Sequence, residues 1–200
     1  MNVKNTNVNG EDENNKGNVW AVIVSVGHKK VANLVKQAIA IGIIPTQIIV
    51  VTNRDNKSTL MGLGVQEENI LAKDSSYTRA QIAGGEKPAE KIETVGYAGA
   101  LIKGAQRIVQ YNTSAAIINM SAAFGGNLVD IGDLIWSAAN AVCHRRTGAR
   151  IIGAVDTEAG ISIWKAETIM TAVSNGGLRM KGTTFKDLMA ELSPAITILA

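Results

Sequence analysis

The chain has 200 residues, 46% of them hydrophobic and 18% charged, with a formal net charge of +3. That balance suits one globular domain with a sizeable core. The single cysteine, Cys143, excludes a disulfide framework and a multi-thiolate zinc site. The absence of an apolar signal core, and of any run near the ~20 apolar residues that span a bilayer, sets the expectation of a cytoplasmic protein without a membrane span.

Residues 1–18 are rich in Asn and almost free of large apolar groups. Such a segment cannot offset its ordering entropy by burial, so it reads as a disordered tail, with residues 19–200 as the domain. From Val19 to Val26 the chain is almost continuously apolar, as in a strand buried on both faces. After Gly27, the residues Val31, Leu34, Val35, Ala38, Ile39 and Ile41 recur at helical spacing, opposite Lys29, Lys30, Lys36 and Gln37. Gly42 is placed to end that helix. Gln47 to Thr52 forms a second buried strand, and Asn53-Arg54-Asp55-Asn56 a polar turn. Two apolar strands joined by an amphipathic helix lie parallel, and ligands of such sheets bind beyond the carboxyl ends of the strands. Those ends are Ser25 to His28 and Thr52 to Asp55.

Asn69 to Ala72 suggests a short third strand, and the polar stretch 75–92, with Gly84, Gly85 and Pro88, a loop. The pattern predicts a helix over 93–110, a strand over Ala115 to Met120 and a turn at Phe124-Gly125-Gly126-Asn127. Asp130 is placed to cap a helix over 131–145. Strands over Arg150 to Val155 and Ile161 to Trp164 follow, then a helix over 165–174. A last helix runs from Thr183-Thr184 to Leu192, and Ala195 to Leu199 closes the chain as a strand. No internal repeat is evident. The fold class is α/β: a single three-layer domain with a mainly parallel sheet, GT-A-like or Rossmann-like.

Several segments resemble family-2 glycosyltransferases of the GT-A fold. Ile44-Pro45-Thr46-Gln47-Ile48-Ile49-Val50-Val51-Thr52-Asn53 resembles their second strand, and Val22 to Val26 their first. Val95-Gly96-Tyr97-Ala98-Gly99-Ala100, followed by the strand to Ser121, is similar to a Gly-rich helix leading into an apolar strand. Gly160 to Glu167 resembles their late acceptor-side segment. The pieces fall in the family's order over residues 19–175. The resemblance implies transfer of a sugar from a nucleotide-diphosphate donor to an acceptor hydroxyl. It also implies an acid at the end of the second strand and an acidic cation-binding motif at the end of the fourth. This chain departs at both places, with Thr52-Asn53 and Asn119-Met120-Ser121-Ala122-Ala123. The usual divalent cation therefore lacks its motif, and no metal ligand is assigned.

The strand-end residues Ser25, Val26, His28, Asn53 and Asp55 are the candidates for a nucleoside pocket, with Asp74 as a second nucleotide contact. Lys103, on the Gly-rich helix, could approach a phosphate, and Asn119 and Ser121 the diphosphate and sugar. Asp187 and Glu191 share a helix face at i, i+4, and either could deprotonate an acceptor hydroxyl. Each has a plainer alternative as a turn former or a solvated acid. The basic run His144-Arg145-Arg146 is too small for a nucleic-acid face and more naturally favours a helix carboxyl end. Two alternatives share the topology: a nucleotidyltransferase-like enzyme, and a non-catalytic nucleotide-binding or assembly module. The chain is short for a complete glycosyltransferase, so the expectation is an acceptor subdomain that is either missing or supplied by a partner, with a homo-oligomer or a partner subunit as the candidate assemblies. A third alternative, a Rossmann-like domain unrelated to glycosyltransferases, predicts a sheet with no reversed strand near 150–164.

Overall fold

Strand β1, Val19–Val24, is buried at every position. A strand apolar on both sides needs cover on both faces and a hydrogen-bonded neighbour on both edges. The computed structural model supplies all four. It describes residues 18–24, 28–52, 56–72, 97–121, 126–145, 148–152, 161–180, 185–194 and 196–199.

The strands that follow β1 are β2 (Ile48–Thr52), β3 (Ile70–Ala72), β4 (Ala116–Ser121), β5 (Ala149–Ile152), β6 (Ile161–Lys165) and β7 (Ile196–Leu199). They form one sheet in the order β3-β2-β1-β4-β6-β5-β7. All described pairings are parallel except those of β6, which runs antiparallel to both β4 and β5. That reversal is what the uniformly parallel alternative does not predict. The three-layer, mainly parallel α/β class is as expected.

The helices are α1 (His28–Ala40), α2 (Lys57–Met61), α3 (Tyr97–Ile108), α4 (Gly132–Arg145), α5 (Ala166–Ser174) and α6 (Phe185–Leu192). Alternation along the strands feeds two cores. Val19, Ala21 and Ile23 of β1 pack with Val31, Val35 and Ile135 on the α1 and α4 side. Trp20, Val22 and Val24 pack with Leu101, Ala105 and Ile169 on the α3 and α5 side. Leu188 brings α6 to the second side.

Several boundaries differ from the sequence expectation. The helix expected over 93–110 is described from Tyr97 to Ile108, and that over 165–174 from Ala166. Asp130 does not cap α4. It lies inside a 3-10 turn, Leu128–Ile131, which Asn127 caps by accepting from the Val129 N–H at 3.2 Å. Asn18, counted with the tail, is tied to the domain: its carbonyl accepts from the Ala116 N–H and its side chain from Asn112. Residues 1–17 and the loop 75–92 lie outside the described residues.

One connection is built twice. After α1, Gly42 takes φ +97°, donating to Ile39 while Ile43 donates back to Ala38. After α2, Gly64 takes φ +89°, donating to Met61 while Val65 donates back to Leu60. This is the left-handed helix stop that favours glycine. Each stop leads to a buried aliphatic residue, a 3-10 turn and then a strand, through Pro45–Gln47 into β2 and Glu67–Asn69 into β3. The sequence hides this repetition because little more than the glycine, the aliphatic residue and the strand's first Ile recur.

Helix α3 sits directly on the sheet at Gly104, where a Cβ would collide with both Val22 methyls. Val22 is β-branched, fully buried and held in the central strand, so it has little room to yield. Gly104→Ala should therefore destabilise the fold by about 1–3 kcal/mol, despite alanine's better helix propensity. Urea unfolding measures the loss, and Val22→Ala in the same chain should restore part of it.

Candidate functional site

The register gathers the strand ends at one edge. Val24 stands beside Val51 of β2 and Ser121 of β4, and Thr52 beside Ala72 of β3. Because β6 is reversed, its first residue, Ile161, reaches the same edge opposite Ile151 of β5. This is the carboxyl edge, where sheets of this class bind ligands.

Two helices point their amino ends at it. α1 starts at His28, just after β1 ends. α3 runs the other way from the strands: Tyr111, just past its last turn, stacks on Trp20 at the start of β1, with ring centroids 5.6 Å apart. Arg107 covers the Tyr111 ring and donates to Asn69 at 3.3 Å, which pins the far end of α3 beside β3. Neither helix has an acidic residue in its first turn. Their partial positive charge is therefore not offset within the helix, which favours an anion at this edge.

Among the described residues, the polar groups at the ends of β2 and β4 are neutral. The Thr52 hydroxyl accepts a hydrogen bond from Asn56 Nδ2 at 2.8 Å, with both residues buried. This bond ties the end of β2 to the residue just before α2. Thr52 belongs to the α1 side of the sheet, by alternation with Val51. Ser121, at 5% exposure, belongs to the α3 side, so the edge is polar on both faces. Asn119 lies one layer deeper at 0% exposure, in register with Val22, on which Gly104 is seated. Beside it on β6 stands Ser162, also fully buried.

The expected site residues fall into three groups. Asn119 and Ser121 share one strand face, and His28 opens α1 at the same edge. Ser25, Val26, Asn53, Asp55 and Asp74 lie outside the described residues. Lys103 is half-buried on α3, on the same helix face as Arg107. Asp187 and Glu191 are both exposed on α6, the helix that packs on α3 and α5. The Glu191 carboxylate lies against Gly177 in the turn after α5, where a Cβ would collide with it.

The sequence reading missed Asn56, taken as part of a polar turn, and Ser162. The signal for Ser162 was a polar residue within an otherwise apolar strand, Ile161-Ser162-Ile163-Trp164. Among the described residues no three His, Cys, Asp or Glu stand close enough together to hold a metal ion. No helix of the described residues is long and apolar enough to cross a membrane.

Cys143 is remote from this edge. It is half-buried on α4, near Ala116 and Lys165, where β4 begins and β6 ends. Burial pushes its thiol up from the ordinary value of 9.0, and the Lys165 charge and hydrogen bonding to the Ala116 backbone only partly oppose this. It is thus a poor nucleophile at neutral pH.

No protein-family model matches the chain, and comparison with the curated proteins gives no match. Among solved structures, the chain is similar to mannose-1-phosphate geranyltransferase from Thermus thermophilus, with a TM-score of 0.52 and 8% identity. The alignment covers 91% of this chain and 74% of that one. At that identity the likeness is one of fold.

Two outcomes follow from this geometry. Thr52→Val removes the acceptor of a buried amide and should cost about 1–3 kcal/mol, read by urea unfolding. The raised Cys143 thiol keeps its proton in the fold after the unfolded chain has lost it. Stability should therefore fall as pH rises above about 9, and the fall should be smaller in Cys143→Ala, measured by unfolding across that range.

Proposed function

We propose that the carboxyl edge of the sheet binds a nucleotide sugar, and that the chain transfers the sugar to an acceptor hydroxyl. The observation that carries this reading is the reversed β6 between β4 and β5, in a sheet where Val24, Thr52 and Ser121 form one edge. It agrees with the order of segments that resemble family-2 glycosyltransferases. The structural neighbour adds weight, since its name gives it a sugar 1-phosphate and a transfer reaction.

In this reading Ser25, Val26, His28, Asn53 and Asp55 hold the nucleoside, with Asp74 beside it. Lys103 serves the phosphates, and Ser121, with Asn119 beneath it, the diphosphate and sugar. The acceptor oxygen bonds to the anomeric carbon as the bond from that carbon to the diphosphate oxygen breaks. Asp187 or Glu191 takes the acceptor proton. The leaving diphosphate carries away the electron pair and needs electrostatic stabilisation, which the amino ends of α1 and α3 favour.

A second reading is a nucleotidyltransferase-like enzyme in which a sugar 1-phosphate is the acceptor; the neighbour's name shares with it the sugar 1-phosphate. The two readings share the edge and differ in which bond to phosphorus or carbon is broken.

A thermal-shift screen separates them. The probes are UDP-, GDP-, CMP- and dTDP-sugars, nucleoside triphosphates and mannose 1-phosphate. A ligand at about 100 times its Kd should stabilise the fold by about 2.7 kcal/mol, or roughly 2–10 °C. A shift from one class of nucleotide sugar, lost in Asp55→Ala, supports the first reading. A shift from a triphosphate with mannose 1-phosphate supports the second. No shift from any probe would leave a non-catalytic assembly module.

A further inference from the structure

We infer that the opposite edge of the sheet, where β2 and β3 begin, docks a partner protein through a segment whose apolar side chains are bordered by Lys or Arg. Docking there does not depend on which ligand the carboxyl edge takes.

Among the described residues the exposed large hydrophobic side chains are Ile44, Met61, Tyr111 and Val129. Tyr111 stands apart, stacked on Trp20. The other three lie along one strip that can be followed contact by contact. Val129 is in the turn before α4, and the first residue of α4, Gly132, sits against the end of α1, where a Cβ would meet Ile41 at 3.0 Å. Trp136 donates to the Ile41 carbonyl, and its ring borders Gly42. Two residues on is Ile44, then Pro45, against which a Cβ on Gly64 would lie at 3.2 Å. Gly64 in turn donates its N–H to the Met61 carbonyl. Ile44 and Met61 are each 44% exposed and Val129 52%, while Ile41, Pro45 and Trp136 between them are half-buried. A continuous apolar strip with a polar rim marks an interaction site. Ile41 and Trp136 rest on the core beneath, so the strip is formed before a partner arrives and costs little ordering on binding.

The rim selects the partner. Glu67 and Glu68 are exposed at the Met61 end, where Glu67 pairs with Lys57, one helical turn before Met61. Asp130 and Asp133 are exposed at the Val129 end, Asp133 one turn before Trp136. The other acids of the described residues, Glu167, Asp187 and Glu191, belong to α5 and α6, which cover the other face of the sheet. The lysines near the strip are Lys36 and Lys57, and Lys57 is already bonded to Glu67. The rim is therefore acidic, although the formal net charge of the chain is +3. Such a rim favours a cationic partner and disfavours an anionic one. It also disfavours a second copy of this chain. Both ends of the strip carry acids, so two strips paired in either direction set carboxylates against carboxylates.

The test is fluorescence anisotropy of two labelled synthetic peptides, each about four helical turns long, titrated with the full chain. Both carry Leu at i, i+3, i+4 and i+7 spacing, with Lys at the remaining positions in one and Glu in the other. The Leu/Lys peptide is expected to bind saturably, about tenfold or more tightly than the Leu/Glu peptide. Ile44→Ser combined with Val129→Ser should weaken that binding by about tenfold or more, whereas Tyr111→Ser should leave it unchanged. Circular dichroism checks that these exposed substitutions keep the fold. Asp130→Lys combined with Asp133→Lys should narrow the preference for the Leu/Lys peptide. Absence of saturable binding, equal affinity for the two peptides, or binding that survives Ile44→Ser with Val129→Ser would overturn the inference. So would sedimentation showing a dimer that those two substitutions dissociate, since the occupant would then be a second copy.

Discussion

The central strand pair, β1 with β4, carries the structure. Both strands are buried at all their positions, and they pair in register from Val19 with Ala116 to Val24 with Ser121. A strand in that position has no water to satisfy its backbone, so every N–H and C=O must find its partner in a neighbouring strand. The equal ends follow: strands that pair over their full length stop together. The edge at which they stop is the carboxyl edge of the sheet.

The side layers are fitted to that pair. On one face, Gly104 lets α3 descend onto Val22, a contact that any side chain would prevent. On the other, Trp136 of α4 donates its indole N–H to the Ile41 carbonyl at 2.6 Å, which joins α4 to the end of α1. Leu128, just before α4, also donates its N–H to the Gln37 side chain at 2.9 Å. These contacts fix helix heights as well as helix positions. The amino ends of α1 and α3 consequently face the same edge as Thr52 and Ser121, and their dipoles act together there.

The chemical character of the edge comes from combining neutral strand ends with positive helix ends. The field of the two helix ends favours an anion there. Cys143 takes no part. It lies where β4 begins, is kept protonated by burial and contributes to packing. In the proposed reading that anion is a nucleotide diphosphate, which brings its own charge and hydrogen-bonding edges.

The sequence by itself determined the parallel half of the sheet. Apolar runs at 19–24 and 48–52, flanking an amphipathic helix, can be buried only as adjacent parallel strands. It also determined that Gly42 ends the helix, since the stop needs a positive φ. It could not determine the direction of β6, because an apolar strand reads the same in either sense and only its pairing with β4 and β5 selects one. It assigned a helix cap to Asp130, which instead lies inside a 3-10 turn capped by Asn127, since both residue types suit a cap and only the backbone turn chooses. The depth of Asn119, the burial of Ser162 and the bond from Asn56 to Thr52 were likewise decided by the tertiary structure. A polar side chain carries no local mark of which face it will share or how close a helix will come. Gly104 settled that here by letting α3 rest on Val22.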